Sequence, residues 1–373
     1  MFLALKELKH AKFRYLMMSI IIILIAWLVF ILSGLGNGLS TLSAASIKNL
    51  DANYVVYEKT AGATFSKSII SGDLLEEIQK NHDVKNAASF GSSLGSVSKE
   101  KTDDSSKKTD VAIIGIEVSS FIEPSVVEGK QLSTDDKFGV LANKSLKDAG
   151  YKLGDELLVS NSKMKFKIIG FVENETFNHL PVLFANIDTW RSYQYAAPGS
   201  DNDIHNPVQA IVLKAPQLDA KKLDKQVDGI ETVTKKVAVK EMPGYKEENG
   251  TILMMLAFLI VISAFIVAVF FYVITIQKTA QFGVMKAIGA SNQFISKAIV
   301  AQVFILSFFG IVIGIILTYL TALAFPKNMP FTLDAKLVGL YALGLLVISL
   351  LSSVVSVRQI TKIDPLTALG RVE

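Results

Sequence analysis

The 373-residue sequence contains no cysteine. Disulfides, thiolate metal centres and cysteine nucleophiles are therefore excluded, which fits a bacterial protein facing an oxidising exterior. Histidine is nearly as scarce: His10, His82, His179 and His205 are dispersed and show no zinc-ligand spacing. No G-x-x-x-x-G-K-[ST] string is present, so nothing cradles nucleotide phosphates in the P-loop manner, and energy for work must come from another polypeptide. Serine, histidine and aspartate never meet in a strained-turn motif, and the chain reads as non-enzymatic.

Charge is also sparse, at 19% of residues, and strongly segregated. It is missing altogether from Tyr15–Ile47, Asn249–Gln277, Ala298–Pro326 and Leu337–Val357. A helix needs about 20 apolar residues to cross a hydrocarbon core, and each stretch supplies them. The expected fold class is an α-helical membrane protein with four transmembrane helices in a 1+3 arrangement. A large extracytoplasmic α+β domain of two lobes follows the first span.

Residues 1–34 and 251–373 hold twelve Lys/Arg against four Asp/Glu, whereas residues 35–250 hold twenty-six against thirty. The basic surplus belongs to the membrane part, which argues against nucleic acid and for the positive-inside rule. Lys6, Lys9, Lys12 and Arg14, then Lys278, Lys286 and Lys297, then Arg358, Lys362 and Arg371 mark three cytoplasmic segments. The expectation is a multi-pass protein of a bacterial cell membrane with both termini cytoplasmic. No small-residue cleavage site follows the first apolar run, so that run is read as an uncleaved span.

Residues 1–50 are expected to form a basic amphipathic helix over residues 2–13, the first span and a stalk. Thirty-three helical residues reach about 50 Å, so the helix either continues beyond the hydrocarbon as that stalk or breaks at Gly34, Gly36 and Gly38. Residues 51–246 read as the α+β domain, with one lobe at 51–117 and 206–246 and a second, β-rich lobe at 118–205. Expected strands are Tyr54–Lys59, Ala112–Glu117, Gly139–Ala142, Lys165–Val172, Ala210–Lys214 and Val233–Val239. Helices are expected at Gly72–Lys80, Lys144–Ala149 and near Asp219–Val227, and the polar run Lys99–Asp110 reads as a solvated hairpin tip.

Residues 247–373 hold spans two to four, a loop at 278–297 and a C-terminal tail. In the loop, Phe282, Met285 and Ile288 recur at helical spacing near Gly283 and Gly289, predicting a short helix that exposes apolar residues to a partner. In the tail, Asp364 suits an N-cap, Pro365 the first helical position and Gly370 the end.

These features together resemble the MacB-type permeases of ABC exporters. The resemblance spans essentially the whole chain and rests on Lys286-Ala-Ile-Gly-Ala290 between spans two and three paired with Asp364-Pro365-Leu366-Thr367-Ala368-Leu369 at the end. It implies that the lobe at 51–117 and 206–246 is porter-like and the lobe at 118–205 sabre-like, in a homodimeric permease of the lipid bilayer bound to two copies of a separate ABC ATPase that hydrolyses ATP. It also implies mechanotransmission, in which closure on the cytoplasmic side moves the outer domains without a tunnel through the bilayer. Phe282, Met285, Lys286, Ile288, Gly289, Asp364 and Pro365 are then the expected ATPase-coupling residues.

Within the family, Phe270–Lys278, Asn328-Met-Pro-Phe331 and Tyr245-x-x-Glu248 followed by Met254-Met255 are similar to the haem-exporting HrtB permeases of Gram-positive bacteria. Haem would then be the transported substrate, with no intrinsic cofactor. Haem is flat and apolar with two propionates, so its site needs apolar walls, an iron ligand and a polar rim. Tyr245, Glu248, Met254, Met255, Trp27, Phe30 and Leu35 offer these groups, with Glu248 or Tyr245 as iron ligand and no other metal site. The plainer alternatives are an interfacial anchor for Tyr245, a helix cap for Glu248 and packing for the methionines. His179 and His205 are further haem contacts or surface bystanders. Two other functions stay open: export of an antimicrobial peptide or hydrophobic drug, and FtsX-like mechanical signalling to a cell-wall hydrolase.

Overall fold

The computed structural model describes residues 12–99, 108–326 and 329–361. The amphipathic start, most of the Lys99–Asp110 run and the tail with Asp364 and Pro365 lie outside the described residues. The helices are α1 (Lys12–Lys48), α2 (Leu74–Gln79), α3 (Ser145–Asp148), α4 (Ile187–Gln194), α5 (Ala220–Gln226), α6 (Lys235–Lys240), α7 (Tyr245–Gln277), α8 (Thr279–Ala287), α9 (Asn292–Ala324) and α10 (Ala335–Thr361). The strands are β1 (Tyr54–Glu58), β2 (Ile70–Ser71), β3 (Asn86–Lys99), β4 (Thr109–Ile116), β5 (Val126–Gly129), β6 (Gly139–Asn143), β7 (Glu156–Val159), β8 (Lys165–Val172), β9 (Thr176–Phe177), β10 (Leu180–Asn186), β11 (Pro207–Val208), β12 (Ala210–Lys214) and β13 (Ile230–Thr234). They fall into two compact units, one within Met1–Gly38 and Asn249–Glu373, the other Leu39–Glu248.

In the first unit, Tyr15–Lys48, Tyr245–Gln277, Asn292–Ala324 and Ala335–Ser353 are long and apolar enough to cross a membrane. Small residues bring the helices together. A Cβ at Gly310 would sit 2.7 Å from Ile22, and one at Gly314 would sit 2.7 Å from the Ala26 Cβ, so this G-x-x-x-G pair lets α9 lie directly on α1. Of the two readings, a continuing stalk or a break at the three glycines, the break does not occur, because the glycines too are contact points. Gly34 lies against Phe331, Gly36 against Ile252 and Gly38 against the Pro330 carbonyl. The helix runs through them and departs from helical geometry only at Ala44 (φ −145°, ψ 20°).

The second unit is built on an eleven-stranded sheet running β13-β1-β12-β3-β4-β10-β6-β8-β5. β7 pairs with both β3 and β8, so β3-β4-β10-β6-β8-β7 closes a ring of six pairings and hides strand edges that would otherwise lie open. Apolar residues fill both faces: Val56, Ile113, Phe166 and Trp190 in one core, Val55, Phe90, Ile114 and Phe184 in the other.

The sequence reading misses β3, the longest strand, because Asn86–Lys99 is rich in Gly and Ser and poor in β-branched residues. Its small residues have a packing cause. Gly91 pairs with Gly115 across the β3–β4 ladder, and a Cβ on either would meet the Trp190 ring, at 2.3 Å from Gly91 and 2.6 Å from Gly115. The cross-strand glycines are the slot for that fully buried indole. A second correction concerns Val233–Val239, which is not one strand. Thr234 ends β13, and its side chain accepts from the Val237 N–H to start α6. Gly91→Ala should therefore lower the unfolding free energy by about 1–3 kcal/mol through overpacking. Chemical denaturation of purified protein measures this, and an unchanged midpoint would show that the indole moves aside freely.

Candidate functional site

The departure at Ala44 ends the regular part of α1, and a helix end leaves its last four carbonyls without internal partners. Each of the four carbonyls before Ala44 accepts from a donor that lies beyond the break. Lys48 Nζ donates to Ser40 O (2.9 Å) and Thr176 Oγ1 to Thr41 O (3.1 Å). The His179 N–H donates to Leu42 O (3.1 Å) and the Asn178 N–H to Ser43 O (2.8 Å). Farther on, Lys235 Nζ donates to the carbonyls of Lys48 (3.0 Å) and Leu50 (2.7 Å), and burial lowers its pKa.

Two of these donors come from the tip of a hairpin. β9 and β10 pair with Phe177 opposite Leu180, leaving Asn178-His179 as a two-residue loop. Both loop residues have positive φ, 50° and 64°, as a type I′ turn requires. Asparagine and histidine are among the few non-glycine types enriched in that conformation, and the bonds to α1 hold the turn in place.

The turn also presents the His179 side chain to the first turn of α7. Its Nε2 lies 2.9 Å from Glu248 Oε1 and 3.2 Å from Ser43 Oγ, and Ser43 Oγ donates to Glu248 Oε2 at 3.0 Å. One turn earlier, Ser40 Oγ donates to Tyr245 Oη (2.9 Å), while Lys48 Nζ bonds Ser40 Oγ (2.6 Å) and lies 5.3 Å from the centre of the Tyr245 ring. A polar clamp thus ties the end of α1, the start of α7 and one hairpin tip.

Tyr245 and Glu248 are the two site residues that the structure brings together, and both carboxylate oxygens of Glu248 are engaged. Neither reading of Glu248 from sequence included this arrangement: it is not a cap, because its side chain reaches α1 and the hairpin. The sequence offers His179 only as a haem contact or a bystander, and it does not single out Ser40, Ser43 or Lys48. The Asn-His pair between two short apolar runs is the one local signal for the hairpin.

The remaining candidates lie in the other unit. Met254 is 55% exposed and Met255 is also exposed, on the apolar outer side of α7. Trp27 Nε1 donates to Thr321 Oγ1 (3.1 Å). Phe30 is a correction: it is fully buried with Val29, Leu256 and Ile311 in the helical core, so it forms no wall of an open site. The coupling helix needs a correction too. Phe282 is buried and Met285 packs against the same core as Tyr15 and Phe271, because the i, i+3 pair faces inward. Ile288 follows the last turn at the C-cap, before Gly289 with φ 95°, and is 81% exposed. Val284 is exposed and Lys286 half-buried.

Beside the hairpin, burial pushes the Glu175 carboxyl up to about 7, partly opposed by the hydrogen bond from Asn49 Nδ2 (3.0 Å). Between the ordinary carboxyl range and that value the folded state keeps a proton that the unfolded chain has lost, so stability falls as pH rises. At pH 8 the cost is roughly 3 kcal/mol. Glu175→Gln should remove this slope and stabilise the protein above neutrality while changing little at pH 4. Paired denaturation curves across pH measure the difference, and parallel curves would contradict it.

The family model for a MacB-like periplasmic core domain matches residues 15–230, and the FtsX-like permease C-terminal model matches residues 253–365. A Staphylococcus haemolyticus protein that carries the name hemin transport system permease protein HrtB is 25% identical over 372 residues, covering 100% of this chain and 99% of that protein. An uncharacterized ABC transporter permease of Mycobacterium tuberculosis is 24% identical over 373 residues, covering 99% of each. The periplasmic region of MacB from Actinobacillus actinomycetemcomitans aligns with a TM-score of 0.38 and 14% identity over 54% of this chain and 98% of that structure. With its apolar helices and a family match over more than half its length, the chain is a membrane protein and belongs to the MacB-like, FtsX-like permeases of ABC transporters.

Proposed function

We propose that this permease expels haem or a related porphyrin, as a homodimer bound to two copies of a separate ATPase, and works by mechanotransmission. The hemin-transport name of a relative similar over its full length supports the substrate. The observation that carries the mechanical reading is the clamp. Ser40–Tyr245 and Ser43–Glu248 bonds join the two helices, and His179 and the turn amides tie them to one hairpin, so displacement of either helix end reaches the sheet through β9 and β10. The basic flanks of the spans support a cytoplasmic placement of α8 and of both termini.

In this reading Glu248 or Tyr245 supplies the haem iron ligand. Since Ser43 and His179 already hold the Glu248 carboxylate, haem ligation exchanges clamp bonds for an iron bond. Met254 and Met255 offer exposed thioethers on α7. A strain lacking the permease should become sensitive to graded haem, with resistance restored only when this chain and its ATPase are expressed together. Sensitivity to peptide antibiotics instead would replace the substrate. Glu248→Gln and Glu248→Ala should both shift the Soret band of bound haem with protein abundance unchanged. Unaltered spectra in both variants and in Tyr245→Phe would remove the ligand assignment.

The corrected packing of α8 separates coupling from folding. Ile288→Asp should abolish co-purification of the ATPase at unchanged permease abundance, because it would force an unpaired charge into an apolar contact. Phe282→Asp should instead lower abundance. Full ATPase recovery with Ile288→Asp would take this residue out of the interface.

A further inference from the structure

The second unit contains a cavity of about 240 Å³ that none of the transport argument uses. Phe65, Phe177 and Met242 form apolar walls, and Ser93, Gln194 and Gln209 form a polar side. Cavities that enclose drug-sized ligands run to roughly 300–1,000 Å³. This one fits a fragment or one group of a larger molecule, and a whole porphyrin is too big for it.

Gln209 determines what that group must be. It is only 4% exposed, and the Ser92 backbone N–H (2.8 Å) and Ser92 Oγ (2.9 Å) both donate to its Oε1. A backbone N–H can only donate, so the amide orientation is unambiguous. Its Nε2 makes no hydrogen bond among the described residues and is not sealed from the cavity. Gln194 repeats the arrangement, with Oε1 accepting from Ser93 Oγ, which in turn accepts from Trp190 Nε1 at 2.8 Å. The Gln209 carboxamide is thus fixed by its oxygen, leaving its NH₂ group as a donor. A nearly buried donor without an acceptor is unfavourable unless something in the cavity accepts from it.

We propose that this cavity binds an uncharged, carbonyl-bearing apolar molecule of the peptide-amide class. The carbonyl oxygen accepts from Gln209 Nε2, and an aliphatic or aromatic side group packs on Phe65, Phe177 and Met242. The carboxylate of Glu241 also lines the cavity, which disfavours an anion and accepts from an amide N–H. The site is independent of the haem reading.

The probe is N-acetyl-leucinamide, with anionic N-acetyl-leucine as its charged counterpart. The full chain in lipid nanodiscs carries Trp27→Phe, so that indole emission reports Trp190, whose partner Ser93 lines the cavity. The amide should give a saturable emission change, and the acid should bind at least tenfold more weakly. Gln209→Glu keeps an oxygen for both Ser92 donors but replaces the NH₂ donor, and should weaken the amide at least tenfold. Gln194→Glu, at a more exposed position, should weaken it too and serves if Gln209→Glu does not fold. No saturable response in the folded parent, as expected if water alone occupies the cavity, would overturn the proposal. Equal affinity for amide and acid, or unchanged affinity in a folded variant, would do the same.

Discussion

The interruption of α1 at Ala44 is the constraint on which the rest of the site depends. Leaving a helix inside a folded domain exposes four carbonyls that must find donors. Here the donors are a lysine from the same helix, a threonine hydroxyl and two backbone N–H groups from a type I′ turn. That turn has to stand against the helix, and this fixes the register of β9 against β10 and carries His179 to Glu248. The clamp is therefore the consequence of satisfying backbone polarity at one break.

Its members are weak one by one. The His179–Glu248 pair is about a third exposed on both sides, where a salt bridge contributes little. Together they share partners: Ser43 bonds Glu248 and His179, and Ser40 bonds Tyr245 and Lys48. In the structure the network is closed, and each hydrogen bond orders a group that makes another.

What was legible in the sequence follows from physical range. The spans were readable because a bilayer demands long charge-free runs, and Ala210–Lys214 or Lys165–Val172 because alternation and β-branching are local. β3 was hidden because its composition answers to Trp190, about a hundred residues away in the chain. Ala44 gives no sign of a break, since alanine is the best helix former and the departure is set by donors from residues 176–179. Tyr245 and Glu248 could be picked out by resemblance, but not their partners. Phe282 was misread because spacing shows that a face is apolar and not what covers it.

On the proposed mechanism, the hairpin clamp on α1 opens and closes as the transporter works. Hydrogen exchange at the Asn178 and His179 amides, in the permease reconstituted with its ATPase, tests it most directly. Both amides donate to α1 carbonyls, so they should be protected at rest and lose protection together when ATP turns over, with neighbouring β10 amides unchanged. Protection at these two amides that is identical with and without ATP turnover would contradict the account.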